Sequence, residues 1–295
     1  MKGIKVIDVR VHAADSGFLV DDGETSILFD SGFGFTGRAM AEKIRAALGT
    51  RPLDYIFLSH SHYDHALGAA YVLEDYPEAR VVASEYAAKI FDKPTARELM
   101  RKLDTALAVR EGIGEYEDRT SALKVDIKVC DGDTVRAGDM EFRVIALPGH
   151  TKCSVGYYLE SERLLLAPET LGLYSDERVI LPSPLVGYAM SLDSIERARS
   201  LDIENIVIPH VGLLDREETA YYLDNAASAL TEAVEEIRDT LAGGGTHDEA
   251  IEKFRKKYYT GSVLRSYPPD AFKLNTGITV ALVERELLSG DKKSI

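Results

Sequence analysis

The stretch Ser59-His60-Ser61-His62-Tyr63-Asp64-His65 decides the fold, because it places three histidines and one aspartate within six residues. It directly follows Tyr55-Ile56-Phe57-Leu58, an apolar run typical of a strand buried on both faces. Polar residues just past the carboxyl end of such a strand often form functional sites. His60 and His62 point to one side of an extended segment, whereas Asp64 and His65 lie where the chain turns into a helix. Imidazole is the commonest metal ligand in proteins, so the stretch predicts a metal site with ligands for a second ion.

Two more histidines follow predicted strands in the same way. His150 lies in Leu147-Pro148-Gly149-His150-Thr151, and His210 lies in Pro209-His210-Val211-Gly212. Five of the seven histidines of the chain therefore occupy strand-to-loop positions. A single histidine in such a position is more often structural than a ligand, but five in equivalent positions predict one shared metal centre.

Two carboxylates also end predicted strands. Asp30 ends Ile27-Leu28-Phe29-Asp30, and Glu169 ends the run Leu164-Leu165-Leu166-Ala167-Pro168-Glu169. A carboxylate can bridge two divalent ions and hold them about 3.5 to 4 Å apart, a role open to both residues. Asp30 could instead orient a histidine ligand from behind or form a local turn before Gly32.

Together these motifs resemble the metallo-β-lactamase superfamily of metallohydrolases over residues 1 to about 215. Asp30 in Phe-Asp-Ser-Gly matches the first motif of that family, and the order and spacing of the later motifs fit. The resemblance implies an α/β fold, a four-layer αβ/βα sandwich with a dinuclear metal site at one sheet edge. It also implies that His60, His62 and His150 hold one metal. Asp64, His65 and His210 would hold the other.

One residue departs from the family pattern. The fourth motif of the family supplies a bridging aspartate, and Glu169 occupies that place here. Glutamate is one methylene longer and keeps the carboxylate, so it can bridge two metals, bind one, or swing away and leave a weaker second site. Two divalent ions are expected, with zinc first and iron or manganese open, because nitrogen and oxygen ligands discriminate weakly among them.

The predicted organisation is a core over residues 1–215 and a mainly helical C-terminal segment over residues 216–295 that packs on the core. The alternation of strands and helices favours sheets inside and helices outside. Within the core, residues 93–123 are charged and helix-prone. They are expected to form an inserted helical arm that either covers the site or is merely solvated.

Composition limits the partners and the location. The chain has 295 residues with 35 basic and 49 acidic side chains, a net charge of −14. That balance argues against broad binding of nucleic acid or anionic membranes, which needs a basic face. No apolar run is long enough for a membrane span, and the N-terminus lacks an apolar signal core, so a cytoplasmic location is expected. The two cysteines give no disulfide framework. The sequence does not predict an oligomeric state.

The function expected from these features is metal-dependent hydrolysis of a small-molecule substrate. A metal-activated hydroxide would attack the carbonyl or phosphorus of an ester, thioester, lactone or phosphodiester, with Asp64 as a catalytic residue that guides the proton of the water. Two alternatives from other classes are an iron-dependent oxidoreductase of the dioxygenase type and a non-catalytic metal- or ligand-binding regulatory protein. Tyr188 is a candidate substrate contact, with surface packing as the alternative. The stretch 267–275 is expected to cap the site or to pack on the core.

Overall fold

The computed structural model describes residues 3–289 and contains two six-stranded sheets. In the first sheet β1, β2 and β3 are antiparallel neighbours, and β3, β4, β5 and β6 run parallel. Its strands are β1 (Lys5–Asp8), β2 (Phe18–Asp21), β3 (Ser26–Phe29), β4 (Tyr55–Phe57), β5 (Arg80–Ser84) and β6 (Ile127–Val129). The parallel part matters for function, because the carboxyl ends of β3 and β4 meet at the same edge.

The second sheet has the strand order β14-β13-β10-β9-β8-β7, in which β10 and β13 are parallel. Its strands are β7 (Thr134–Ala137), β8 (Met140–Ala146), β9 (Val155–Leu159), β10 (Leu164–Leu166), β13 (Asn205–Ile208) and β14 (Gly212–Leu214). A separate hairpin pairs β11 (Leu173–Tyr174) with β12 (Ile180–Leu181). This hairpin forms one wall of a cleft described below.

The inner faces of the two sheets pack on each other. Phe57 of β4 lies 5.3 Å from Phe142 of β8 and 4.6 Å from Tyr157 of β9, measured between ring centroids. All three rings are fully buried. Full burial of a large apolar side chain contributes roughly 1.5–3 kcal/mol, so these aromatic contacts hold the sandwich together.

Helices cover the outer face of each sheet. Met40 and Ile44 of the first helix pack on the first sheet, and Ile195 and Tyr222 of two later helices pack on the second. The helices are α1 (Gly37–Leu48), α2 (Tyr63–Ala66), α3 (Ala69–Asp75), α4 (Glu85–Phe91), α5 (Pro94–Arg110), α6 (Tyr188–Arg199), α7 (Arg216–Ala242), α8 (His247–Tyr258), α9 (Gly261–Ser266) and α10 (Pro269–Val283). The resulting four layers, helix–sheet–sheet–helix, confirm the predicted fold class.

The helices after residue 215 share one hydrophobic cluster with the outer face of the second sheet. Leu230 of α7, Phe254 of α8 and Phe272 of α10 belong to the same cluster as Ile206 of β13. The division into a core and a C-terminal segment stays a prediction, and its residues 1–2 and 290–295 lie outside the described residues. Within residues 3–289, no helix has both the length and the apolar character that crossing a membrane requires.

Three helical regions of the structure have distinctive bounds. Residues 63–75 form two short helices, α2 and α3, which meet at Gly68. A Cβ on Gly68 would overlap the carbonyl of Ser31, so the chain turns there against the loop after β3. The predicted helical arm 93–123 is α-helical to Arg110 and has one further short 3-10 helix at Thr120–Ala122. The stretch 269–283 is a helix, α10. The proline in its first turn is compatible with this, because the first turn does not need that backbone N–H.

Candidate metal centre

The strand ends bring two groups of ligand atoms together at one edge of the sandwich. The first group combines the loop after β4 with His150, which follows β8, and Glu169, which follows β10. The second combines α2 with His210, which follows β13. Within each group the ligand atoms lie within 4.8 Å of one another: His60, His62, His150 and Glu169 in one group, and Asp64, His65 and His210 in the other. The residues predicted from the sequence as ligands are thus neighbours in space.

Four of the five imidazoles are held in place through their Nδ1 atoms. His65 Nδ1 lies 2.7 Å from Asp30 Oδ2, and His60 Nδ1 lies 2.9 Å from the Ser59 hydroxyl. The corresponding contacts are 3.0 Å from His150 to the Ser183 hydroxyl and 3.1 Å from His210 to the carbonyl of Asp15. Such partners fix the ring orientation and leave Nε2 as the ligand atom.

The buried nitrogens test whether these residues fit a metal ion. His60 Nε2 is buried and has no hydrogen-bond partner. Elsewhere in the centre, nitrogens face each other: His150 Nε2 lies 3.0 Å from His62 Nδ1, and His210 Nε2 lies 3.2 Å from His65 Nε2. A buried polar atom without a partner is costly, and a divalent cation is the group that several converging imidazole nitrogens would satisfy together. The donor set fits.

Glu169 lies between the two groups. Its Oε2 is 2.7 Å from His150 Nε2, and its Oε1 is 2.9 Å from His210 Nε2. Burial opposes its ionisation, but the charges and hydrogen bonds of His150 and His210 outweigh burial and hold the pKa of Glu169 well below its usual value. The extra methylene relative to aspartate therefore leaves the carboxylate buried and turned inward, with one oxygen toward each group.

The charge states of the histidines differ with their surroundings. Burial, followed by the neighbouring imidazoles, lowers the pKa of His60 and brings the pKa of His62 to about 3. Both rings are therefore neutral near pH 7, as a metal ligand must be. For His65 burial acts in the same direction, but the carboxylates of Asp30 and Asp64 outweigh it and raise the pKa to about 9.

Asp30 is fully buried behind His65. Besides the contact with His65, its carboxylate accepts hydrogen bonds from the backbone N–H and hydroxyl of Ser59 and from the hydroxyl of Ser16. The contact with His65 is the one expected of a residue that orients a ligand. The backbone of Asp30 is left-handed, with φ of 54°, and that of His210 has φ of 63°. Non-glycine residues rarely adopt this conformation and keep it only where their surroundings hold them.

Asp64 is the carboxylate of the second group. Its Oδ2 lies 3.7 Å from His65 Nε2 and 3.8 Å from His210 Nε2. Its side chain keeps 18% of its surface exposed, whereas the Asp30 side chain keeps none. Burial raises the pKa of Asp64. Asp64 is thus the carboxylate of the centre that is open to solvent.

The structure does not bring Tyr188 to this centre. The residue begins α6, its hydroxyl contacts the Thr231 hydroxyl of α7 at 3.5 Å, and its ring packs on the hydrophobic cluster of the second sheet. Its backbone N–H donates to Glu286 at 3.0 Å. The geometry therefore favours packing, the alternative that the sequence left open, over a substrate contact.

A cleft of about 700 Å³ adjoins His210. One wall is the N-terminal stretch 8–13, the second is the β11–β12 hairpin with its loop, and the third is α9 with Tyr267. These walls carry no recognisable sequence motif. One cleft residue, Tyr267, belongs to the stretch 267–275, which is predicted to cap the site or to pack on the core. Tyr267 reaches the cleft, whereas Phe272 packs in the core.

The charges in this cleft are paired. Arg10 contacts Asp8 at 2.6 Å, and Arg265 pairs with Asp176. Arg178 pairs with Glu217 at 3.0 Å and also with Glu218. Because each arginine that lines the cleft has an acidic partner, the walls present nearly balanced charge between apolar side chains such as Val11, Leu173 and Val263.

An aromatic group lies beside α2, and the inserted arm packs against it. Phe33 stacks on Phe35 at 4.9 Å and lies 5.6 Å from Tyr63, which sits between two predicted ligands. Leu107 of α5 belongs to the same cluster. Asp104 of α5 is fully buried and accepts a hydrogen bond from the backbone of Gly34 at 3.0 Å. The arm is therefore anchored next to the centre and is not merely solvated.

Comparisons with known proteins agree with this geometry. A sequence profile of the Metallo-beta-lactamase superfamily matches residues 11–210. A metallo-beta-lactamase family protein from Thermus thermophilus has the same fold, with a TM-score of 0.65 and 18% identity over 97% of this chain and 94% of its own. An archaeal superfamily protein from Sulfolobus tokodaii gives a TM-score of 0.57 and 20% identity over 76% of this chain and 86% of its own.

Several curated relatives are named hydroxyacylglutathione hydrolase. The protein from Brucella anthropi is 28% identical over 200 residues, which are 67% of this chain and 63% of the relative. The protein from Bradyrhizobium sp. is 27% identical over 146 residues, which are 50% of this chain and 43% of the relative. The matched region thus spans less than two thirds of either relative. An uncharacterized protein of Aquifex aeolicus is 30% identical over 61% of this chain and 75% of its own length.

Proposed function

Because the chain belongs to the metallo-beta-lactamase superfamily, as the sequence resemblance predicts, we propose that it is a metal-dependent hydrolase that acts on a small thioester or ester. The observation that carries the proposal is the buried, unpartnered Nε2 of His60 in a ring of imidazole nitrogens, with Glu169 between the two ligand groups. Structural imidazoles have hydrogen-bond partners on both sides. Here His60 Nε2 has no partner, and two further pairs of imidazole nitrogens face each other around one carboxylate, an arrangement suited to a cation.

The proposed ligands are His60, His62 and His150 for one ion and Asp64, His65 and His210 for the other, with Glu169 between them. Two divalent ions, zinc first and iron or manganese as alternatives, would supply Lewis acidity and a water molecule of lowered pKa. Asp30 holds the ring of His65, and Asp64 accepts the proton of the attacking water. Asp64 suits this role because its side chain keeps 18% of its surface exposed, more than Asp30 or Glu169.

The cleft beside His210 supports the choice of substrate. Its volume of about 700 Å³ is within the range of small-molecule sites. A thioester is the first choice because several relatives carry the name hydroxyacylglutathione hydrolase, and esters, lactones and phosphodiesters follow. The net charge of −14 supports a small molecule over nucleic acid. A cytoplasmic location and the absence of a membrane partner stay predictions.

The test is metal analysis of protein purified without added metal, followed by a hydrolysis panel. We expect close to two ions per chain and turnover of at least one thioester or ester. His62→Ala should lose metal and activity, whereas His247→Ala, which replaces a histidine 45% exposed on α8, should keep both. Metal-loaded protein that hydrolyses no member of the panel would contradict the proposal. Oxygen uptake with bound iron would support the oxidoreductase, and ligand binding without turnover would support a regulatory role.

A further inference from the structure

Tyr267 lies at the C-terminal end of α9, on the cleft beside the predicted metal centre. It follows α9 and lines the cleft together with His210. It also lines a second, much smaller cavity together with Ser183, whose hydroxyl contacts His150 Nδ1. Tyr267 therefore lines two cavities, one beside His210 and one beside the Ser183 partner of His150.

Neighbouring side chains hold the Tyr267 ring. The Tyr259 hydroxyl donates to the carbonyl of Tyr267 at 2.7 Å, and the Phe272 ring packs edge-on against the Tyr267 ring at 6.1 Å. The side-chain amide of Asn275 donates a hydrogen bond to the Tyr267 hydroxyl oxygen at 2.5 Å. This bond occupies an acceptor position of the phenol, so the hydroxyl hydrogen must point to another group.

Among residues 3–289 the Tyr267 hydroxyl donates no hydrogen bond, and its one side-chain hydrogen bond is the one it accepts from Asn275. The phenol also keeps its proton, because burial and then the negative charges of Glu169 and Asp64 hold the pKa of Tyr267 well above its usual value. A protonated hydroxyl with its oxygen already engaged is a directed hydrogen-bond donor.

We propose that Tyr267 donates a hydrogen bond to the oxygen of the scissile carbonyl while water adds to the carbonyl carbon. The inference rests on the proposed hydrolase function. In the reaction, water adds to the thioester, the bond from carbon to sulfur breaks, and a carboxylic acid and a thiol leave. Tyr267 forms no covalent bond and loses no proton. Its hydrogen bond strengthens as negative charge grows on the carbonyl oxygen, so it stabilises the transition state more than the bound substrate.

A purely structural role for Tyr267 predicts different kinetics from a role as hydrogen-bond donor. A tyrosine that only packed against Tyr259 and Phe272 could lose its hydroxyl with little effect on the rate. A transition-state donor lowers kcat when it is removed and leaves KM nearly unchanged. Its removal also weakens binding of a tetrahedral anionic analogue, which can be measured without turnover.

The experiment compares the metal-loaded wild type with Tyr267→Phe. The substrate is S-phenyl thioacetate and the analogue is phenyl methylphosphonate, whose affinity is measured by calorimetry. We expect Tyr267→Phe to lower kcat by about 10- to 100-fold, as for a lost donor to a charged oxygen, and to raise the Kd of the phosphonate by a similar factor. KM, metal content and melting temperature should stay close to the wild-type values.

Tyr258→Phe is the matched control. Tyr258 is buried in the same helical segment, and its hydroxyl donates to the carbonyl of Ala229. It lines neither cavity, so kcat and the Kd of the phosphonate should be unchanged.

A crystal structure of the wild type with the phosphonate gives a measurement that does not depend on folding of a variant. We expect the phenol oxygen within about 3 Å of a phosphonate oxygen. A phenol oxygen well beyond hydrogen-bond distance, or a Tyr267→Phe variant with wild-type kcat and affinity, would overturn the inference while the hydrolase proposal stood. A wild type that hydrolyses no ester or thioester would instead defeat the proposed function.

Discussion

The ligands of the metal centre and the walls of the cleft beside it show two ways of building a site. Seven predicted ligand side chains gather at one edge of the sandwich, and four of the five imidazoles among them are fixed at Nδ1 by buried hydrogen bonds. The cleft walls come from four separate stretches of the chain and are joined mainly by exposed ion pairs, such as Arg178 with Glu217 and Arg265 with Asp176. Exposed pairs contribute only about 0–1 kcal/mol each. The centre is therefore expected to tolerate little change, whereas the cleft can vary and adapt to its substrate.

Glu169 gives the sharpest test of this rigidity. Glu169→Ala removes the carboxylate between the two ligand groups and leaves His150 and His210 without their anionic partner. We expect thioester hydrolysis to fall by about 1000-fold, which corresponds to about 4 kcal/mol of lost transition-state stabilisation. Kinetics with parallel metal analysis measures the effect.

Two control variants sharpen that result. Glu252→Ala removes an exposed glutamate of α8 and should change neither metal content nor rate. Glu169→Asp restores the residue expected in the family and should keep most of the metal. Full activity in Glu169→Ala would show that the carboxylate is dispensable and that the centre is less constrained than its hydrogen bonds suggest.

Asp104 tests how strongly the inserted arm is buried against the loop that carries Phe33 and Phe35. Burial raises the pKa of Asp104 to about 7, although hydrogen bonds from Tyr116 and from the backbone of Gly34 act in the opposite direction. A carboxyl whose pKa is higher in the folded state binds its proton more tightly when folded, so its contribution to stability is full below about pH 4 and is lost as the pH rises to about 7.

Asp104→Asn removes that titration and keeps an acceptor for Gly34. Relative to wild type, the variant should gain up to about 4 kcal/mol in free energy of unfolding between about pH 4 and pH 8. Denaturant unfolding across this range measures the difference, with Asp118→Asn, an exposed residue of the same arm, as control. A difference between Asp104→Asn and wild type that does not change with pH would show that Asp104 is not strained by burial.

Asp30 tests how much the residue behind a ligand contributes to the centre. Asp30→Asn keeps the size of the side chain but removes the charge that faces His65. We expect metal affinity to fall by about 10- to 100-fold, the usual effect of removing a partner of a histidine ligand. Competition with a chelator measures it. Asp126→Asn, which replaces a carboxylate that accepts from the backbone of Val81, should leave the affinity unchanged.

The difference between the metal centre and the cleft also explains which features the sequence could predict. The predicted ligands follow short apolar runs, and the parallel pairs β3–β4 and β10–β13 bring their carboxyl ends to one edge. His60, Glu169 and His210 can therefore be found from their positions after strands. The direction of a side chain on a later helix depends on packing between distant elements. For that reason the sequence leaves Tyr188 open between a substrate contact and packing. In the structure its hydroxyl contacts Thr231 of α7.

The cleft could not be predicted for a related reason. Its walls lie far apart in the sequence and carry no motif. The pair Arg265–Asp176 forms only when α9 meets the loop of the hairpin. The position of Glu169 also needed the structure, because a longer side chain allowed both an inward and an outward carboxylate. The inward position follows from its contacts with His150 and His210.

Gly261 tests the junction between the hairpin and α9. Its backbone has φ of 52°, and an added Cβ would crowd the Ser175 hydroxyl and lie 2.5 Å from Asp176 Oδ1. Asp176 accepts a hydrogen bond from the backbone of Ser262 at 2.7 Å, so the extra methyl group would push the two walls of the cleft apart. Gly261→Ala is expected to cost about 1–2 kcal/mol of stability.

Gly244→Ala is the matched control for Gly261→Ala. Gly244 has φ of 85° but open space around its Cβ position, so it reports the backbone strain without the crowding. If the cleft binds substrate, Gly261→Ala should raise KM by a few-fold while metal content stays at the wild-type level, and Gly244→Ala should leave KM unchanged. Loss of metal in Gly261→Ala would mean that the cleft and the centre are one rigid unit. It would contradict the expectation that the cleft can change while the centre stays intact.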